Sequence, residues 1–151
     1  MLRDRVRALV YSILVAVPLA VATVGYAGGG SDAPVQQKST SGWTLPPDAA
    51  ATKSPLTVDD KVLAIGKKVF TDKCQKCHGP KGLGDGPDAD PDHAEDMNLT
   101  NPKRAERNSD GVVFYKVLNG RRNPKMPPFK DDLSTEQIWS VVAYAQSLRK
   151  K

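Results

Sequence analysis

Apolar positions fall along the chain in blocks of different period, and each period predicts a different element. From Ala8 to Ala27 no charged residue occurs, a run of about 20 residues, enough to cross roughly 30 Å of hydrocarbon as a helix. From Gly28 to Pro55 the composition turns to Gly, Ser, Thr, Ala, Pro and Gln, with Trp43 and Leu45 as the large apolar exceptions. Such a stretch cannot bury enough surface to offset the cost of ordering it. Residues 28–55 are therefore expected to form a flexible linker, with Trp43 and Leu45 resting on the folded domain or on a partner.

Helical periodicity begins near Leu56. Thr57 and Asp60 make a capping-box pattern, and Val58, Val62, Ile65, Gly66 and Val69 share one face while Lys61, Lys67 and Lys68 point elsewhere. A second helix is expected over Val112, Val113, Phe114, Val117 and Leu118, capped by Ser109 or Asp110 and stopped by Gly120. The last has the clearest start: Leu133 as staple, Ser134 as cap and Gln137 closing the box, then Ile138, Val141, Val142, Ala145 and Leu148 at helical spacing. No strand pattern appears between residues 56 and 151, so the expected fold is all-α with about three main helices.

Charge changes the picture at the N-terminus. Arg3, Arg5 and Arg7 precede the apolar run, which keeps that end in the cytoplasm and sends the rest across the membrane. Residues 1–27 are expected to be a signal-anchor, giving a single-pass protein of the cytoplasmic membrane with its domain on the periplasmic side. Pro18 before Ala20-Val21-Ala22 offers the alternative of a cleaved signal peptide and a soluble periplasmic protein. Elsewhere, 22 basic and 17 acidic residues give a net charge of +5 without basic runs, which argues against nucleic acid.

Both cysteines lie in Cys74-Gln75-Lys76-Cys77-His78. Two thiols three positions apart with a histidine directly after the second form the attachment signature of a c-type haem. The spacing presents both thiols to the two vinyl groups of one haem and turns the next imidazole under the iron. Cys74 and Cys77 are thus the candidate thioether attachment points, His78 the proximal iron ligand, and one covalent haem c the expected cofactor. A thioredoxin-like dithiol would need a βαβ pattern, and a zinc site more Cys or His nearby.

What fills the second axial position decides between a carrier and a reactive haem. Met126 is followed by Pro127 and Pro128, which restrict the backbone and favour a weak thioether bond. His93 and Met97 are the other candidates. They lie in the stretch carrying Asp85, Asp88, Asp90, Asp92, Glu95 and Asp96, which reads as a solvated acidic loop lacking EF-hand spacing.

Cys-x-x-Cys-His behind a helix, Gly84-Asp85-Gly86-Pro87, Met126-Pro127-Pro128-Phe129 and Val142-Ala143-Tyr144 in a final helix together resemble the mono-haem class I cytochromes c of bacterial respiratory chains. The resemblance covers residues 56–149. It implies first and last helices crossing at Gly66, Phe70 and Tyr144, and a proline carbonyl, Pro87 or else Pro80, orienting the proximal imidazole. It also implies a one-electron carrier rather than an enzyme, working between respiratory or photosynthetic membrane complexes. The alternatives are a permanent subunit of an oxidase, dehydrogenase or reductase, and a haem enzyme or gas sensor with an open sixth position. Lys116, Arg121, Arg122, Lys125 and Lys130 flank the methionine loop and are expected to steer the protein to an acidic partner.

Overall fold

The computed structural model describes residues 42–150, the side chain of Lys150 excepted. The apolar run of residues 8–27 and the linker up to residue 41 lie outside the described residues. Among the described residues no helix is long and apolar enough to cross a membrane.

These residues fold into helices joined by loops, without strands. α1 spans Asp60–Val69, α2 Gln75–His78, α3 Ala94–Met97, α4 Pro102–Ala105, α5 Asp110–Asn119 and α6 Thr135–Ser147. The three long ones, α1, α5 and α6, are those the apolar periodicity marks. The start of α1 differs from expectation: Asp59 caps it, accepting from Val62 N at 2.8 Å, and Val58 stands outside the helix, 57% exposed. α6 starts as its sequence dictates, with Ser134 and Gln137 closing the capping box.

α1 does not stop before the cysteine motif. A π-helical turn, Phe70–Cys74, carries it into α2. The wider turn was not foreseen from periodicity, and it rotates the chain so that Phe70 is buried in the core while Cys74 is left partly exposed.

The core forms where α1 crosses α6. A Cβ at Gly66 would collide with the Ser140 carbonyl and with Tyr144, so the missing side chain lets the two backbones meet. Phe70 packs on Tyr144 with ring centroids 5.3 Å apart. α5 closes the other side, stacking Phe114 on Trp139 at 4.2 Å, and Ile138, Val141, Val142, Val117 and Phe129 fill the interior.

The packed unit also starts earlier than expected. Trp43 and Ala49 are buried at 7% and 3% exposure, and Ser109 Oγ donates to the carbonyl of Ala50. Residues 42–55 are therefore part of the domain rather than linker. The indole has cationic side chains to rest on, and composition averaged over a stretch hides one well-seated aromatic residue.

Candidate haem site

α2 and the turn before it present the two thiols at i and i+3, with His78 closing the helix. The glycine-rich loop that follows is tied to the motif through its backbone: Gly84 N donates to the carbonyl of His78 at 2.8 Å, and Asp88 N to that of Lys76 at 2.8 Å. Cys77 Sγ lies 3.6 Å from the carbonyl of Asp88.

The His78 imidazole is oriented by Met97. His78 Nδ1 donates to its carbonyl at 2.7 Å, which fixes the tautomer and leaves the Nε2 lone pair for a metal. Neither proline expected for this role supplies that carbonyl; Pro87 and Pro80 are both exposed. The long loop returns to the histidine through α3, and Leu99 N donates to the carbonyl of Gly82 at 2.7 Å just beyond it. Sequence spacing could not give that register.

Across the cleft, Met126 sits in a loop pinned at both ends. Arg121 and Met126 exchange backbone hydrogen bonds at 2.8 and 2.9 Å, and Phe129 N donates to the carbonyl of Val117. Gly120 ends α5 at φ +61°, where a Cβ would also meet the backbone of Met126 and Pro127. Both the left-handed backbone and the close approach require glycine there.

Two adjoining clefts, with about 540 and 750 Å³ of empty space, share Trp43, Cys74, His78, Asp96 and Met126. Cys77 and Met97 line the first; Phe70, Leu99, Val113 and Val141 give the second an apolar wall. His93, by contrast, lines neither: its Nδ1 lies 2.9 Å from Asp90. Met97 gives its carbonyl to His78 Nδ1.

The chemistry of the donor set fits a covalent haem. Neither cysteine is engaged in a disulfide, and both are partly exposed. Burial pushes the Cys74 thiol up to about 12, with Cys77 adding to the effect; burial and Asp88 raise Cys77 too, against Lys76. Burial also lowers the His78 pKa, opposed by the hydrogen bond to Met97 and assisted by Arg104, so the imidazole is neutral and able to ligate. Cys74 and Cys77 would hold the haem, with His78 on its iron; the group supplies a one-electron couple.

The basic residues expected to face a partner divide. Arg122, Lys125 and Lys130 are exposed. Lys116 and Arg121 turn inward: the Arg121 side chain is 8% exposed and bonds Asp96 Oδ2 at 3.2 Å. Closeness to the methionine loop in sequence did not mean closeness to solvent, because α5 points Lys116 at the cleft. Asp96 likewise leaves the acidic loop to accept from Arg104 at 2.7 Å.

The cytochrome c family pattern matches residues 63–149, more than half of the chain. No curated protein matches it. Among solved structures, the Kuenenia stuttgartiensis reducing HAO-like protein complex Kustc0457/Kustc0458 is similar, with 27% identity and a TM-score of 0.52, over 70% of this chain and 50% of that one. The KustC0563 c-type cytochrome has 24% identity and a TM-score of 0.44, over 56% and 96%. Cytochrome CL from Methylophaga aminisulfidivorans has 20% identity and a TM-score of 0.46, over 83% and 71%. The chain thus spans about half the length of the first of these. The attachment motif, the helical fold and the matched segment together make this chain a member of the cytochrome c family, a mono-haem class I cytochrome with covalently bound haem c.

Proposed function

We propose that this protein is a one-electron carrier whose iron is ligated by His78 and Met126. The observation that carries the reading is Met126 lining the same cleft as Cys74 and His78, in a loop fixed by its paired bonds to Arg121. A methionine sulfur favours the reduced iron and so a relatively high potential, and an iron held by both His78 and Met126 would have no vacancy for a substrate. The donor and acceptor are respiratory or photosynthetic complexes at the cytoplasmic membrane, with the chain anchored through residues 1–27. Arg122, Lys125 and Lys130 supply a positive surface beside the methionine loop for an acidic partner.

The test is optical. Ferric wild type should show the sulfur-to-iron band, and Met126→Ala should lose it while its reduced form gains carbon monoxide binding. Rapid carbon monoxide binding by reduced wild type would overturn the assignment in favour of a reactive haem.

A second reading, a permanent haem subunit of a redox enzyme, draws support from the first solved relative, described as part of a reducing HAO-like complex. Native membranes dissolved in mild detergent and washed at high salt distinguish the two: a carrier is released from its partners, whereas a built-in subunit stays.

A further inference from the structure

Two loops support the candidate ligands, and one carboxylate joins them. On the first side, His78 Nδ1 donates to the carbonyl of Met97, the last residue of α3. α3 has four residues, too few to stand as a helix by itself, so the place of that carbonyl depends on what anchors the turn. Arg104 is the anchor: its Nη1 donates to the carbonyl of Glu95 at 2.6 Å and to Asp96 Oδ1 at 2.7 Å. The residue directly before Met97 is thereby fixed through its side chain.

On the second side, the methionine loop is built on Arg121. Its backbone exchanges two hydrogen bonds with Met126, and its Nε donates to the carbonyl of Pro124 at 3.0 Å. Another nitrogen of the same guanidinium crosses to Asp96 Oδ2 at 3.2 Å, linking residues 25 positions apart. The two side chains are 8% and 34% exposed, so the pair is partly withdrawn from water and is worth more than an ion pair on the surface. Asp85, Asp88, Asp92 and Glu95 of the same acidic stretch are exposed. Asp96 alone among these five turns its carboxylate to both loops.

We propose that Asp96 is a positioning residue that couples the two axial ligands. Through Arg104 and its own neighbour Met97 it steadies the His78 imidazole, and through Arg121 it holds the loop of Met126. The methionine half rests on Met126 as the second ligand; the histidine half does not. A thioether is a weak ligand that leaves when its loop opens, and a carboxylate tying that loop to the histidine side slows the opening. Because each carboxylate oxygen has its own arginine, loosening one end of the link frees the other.

The test uses the full-length holoprotein as wild type, Asp96→Asn, Arg121→Gln and the double variant. An amide at position 96 accepts from one arginine but turns N–H groups toward the other. Ferric protein takes up cyanide only after the methionine sulfur leaves, so the uptake rate reports loop opening. Each single variant should speed uptake about tenfold, the scale of one charge-assisted hydrogen bond. The double variant should be no faster than the faster single one, because both changes break the same link. For the histidine half, the iron–imidazole vibration of reduced Met126→Ala protein falls in frequency as the Nδ1 hydrogen bond weakens, and adding Asp96→Asn should lower it. Two positions guard against one variant failing to fold, with far-UV circular dichroism as the check on helices. Unchanged uptake in both single variants, effects that multiply in the double variant, or an unmoved vibration would overturn the coupling. A wild type lacking the sulfur-to-iron band would instead overturn the Met126 assignment, and the vibration would then decide the histidine half by itself.

Discussion

At the scale of single residues, Ser140 is the most exacting. It is fully buried, and its hydroxyl has no hydrogen-bond partner among the described residues. Leaving a buried polar group unpaired costs about 1–3 kcal/mol, so Ser140→Ala should stabilise the protein by about 1 kcal/mol, read as a higher urea midpoint with an unchanged slope. A lower midpoint would mean that the hydroxyl has a role the packing does not reveal. Asp96 gives a pH signature. Burial pushes its carboxyl up, but hydrogen bonds and charge from Arg104 and then Arg121 outweigh burial and hold it below the usual carboxylate range. A depressed folded-state pKa contributes stability above the unfolded value of about 3.9, and that contribution is lost as pH falls through the folded value. Urea midpoints measured from pH 6 to 3 should therefore fall more steeply for wild type than for Asp96→Asn. Equal falls would show that the carboxylate contributes nothing at acid pH.

At the scale of elements, the long helices were legible because each carries a long apolar face and, in α6, a complete cap. The junction between α1 and α2 was not, since the π turn at Phe70–Cys74 accompanies the packing of Phe70 on Tyr144, a tertiary contact. The same limit explains the site. Cys74, Cys77 and His78 are adjacent in sequence and announce themselves by spacing. Met97, Asp96, Asn108 and Trp43 reach the cleft only through the return of loops, and no local pattern marks them. Gly66 belongs to this scale too. Gly66→Ala would press a methyl group into the Ser140 carbonyl and must part α1 from α6, so a loss of about 2–3 kcal/mol is expected, seen as a lower melting temperature. An unchanged melting temperature would show that the helices can part at no cost.

For the whole molecule, the separation of inward and outward cations matters most. Lys116, Arg104 and Arg149 line the cleft, while Arg122, Lys125 and Lys130 face solvent. Only the exposed set acts at a distance, and its effect is screened within about 10 Å at 0.1 M salt. Arg122→Gln with Lys125→Gln and Lys130→Gln should therefore slow electron delivery to an acidic partner at low salt and converge with wild type at high salt. Stopped-flow oxidation across ionic strength checks this, and parallel curves would remove the steering role.

The meeting of Gly66 with Ser140 also has a bearing on biogenesis. The residue that receives α1 lies far toward the other end of the chain, and a long-range contact of this kind forms only after its intervening loop has closed. During synthesis the thiols therefore emerge well before the helix that completes their surroundings. In that interval Cys74 and Cys77 are at their most accessible, and docking of the final helix afterwards packs the core beside them.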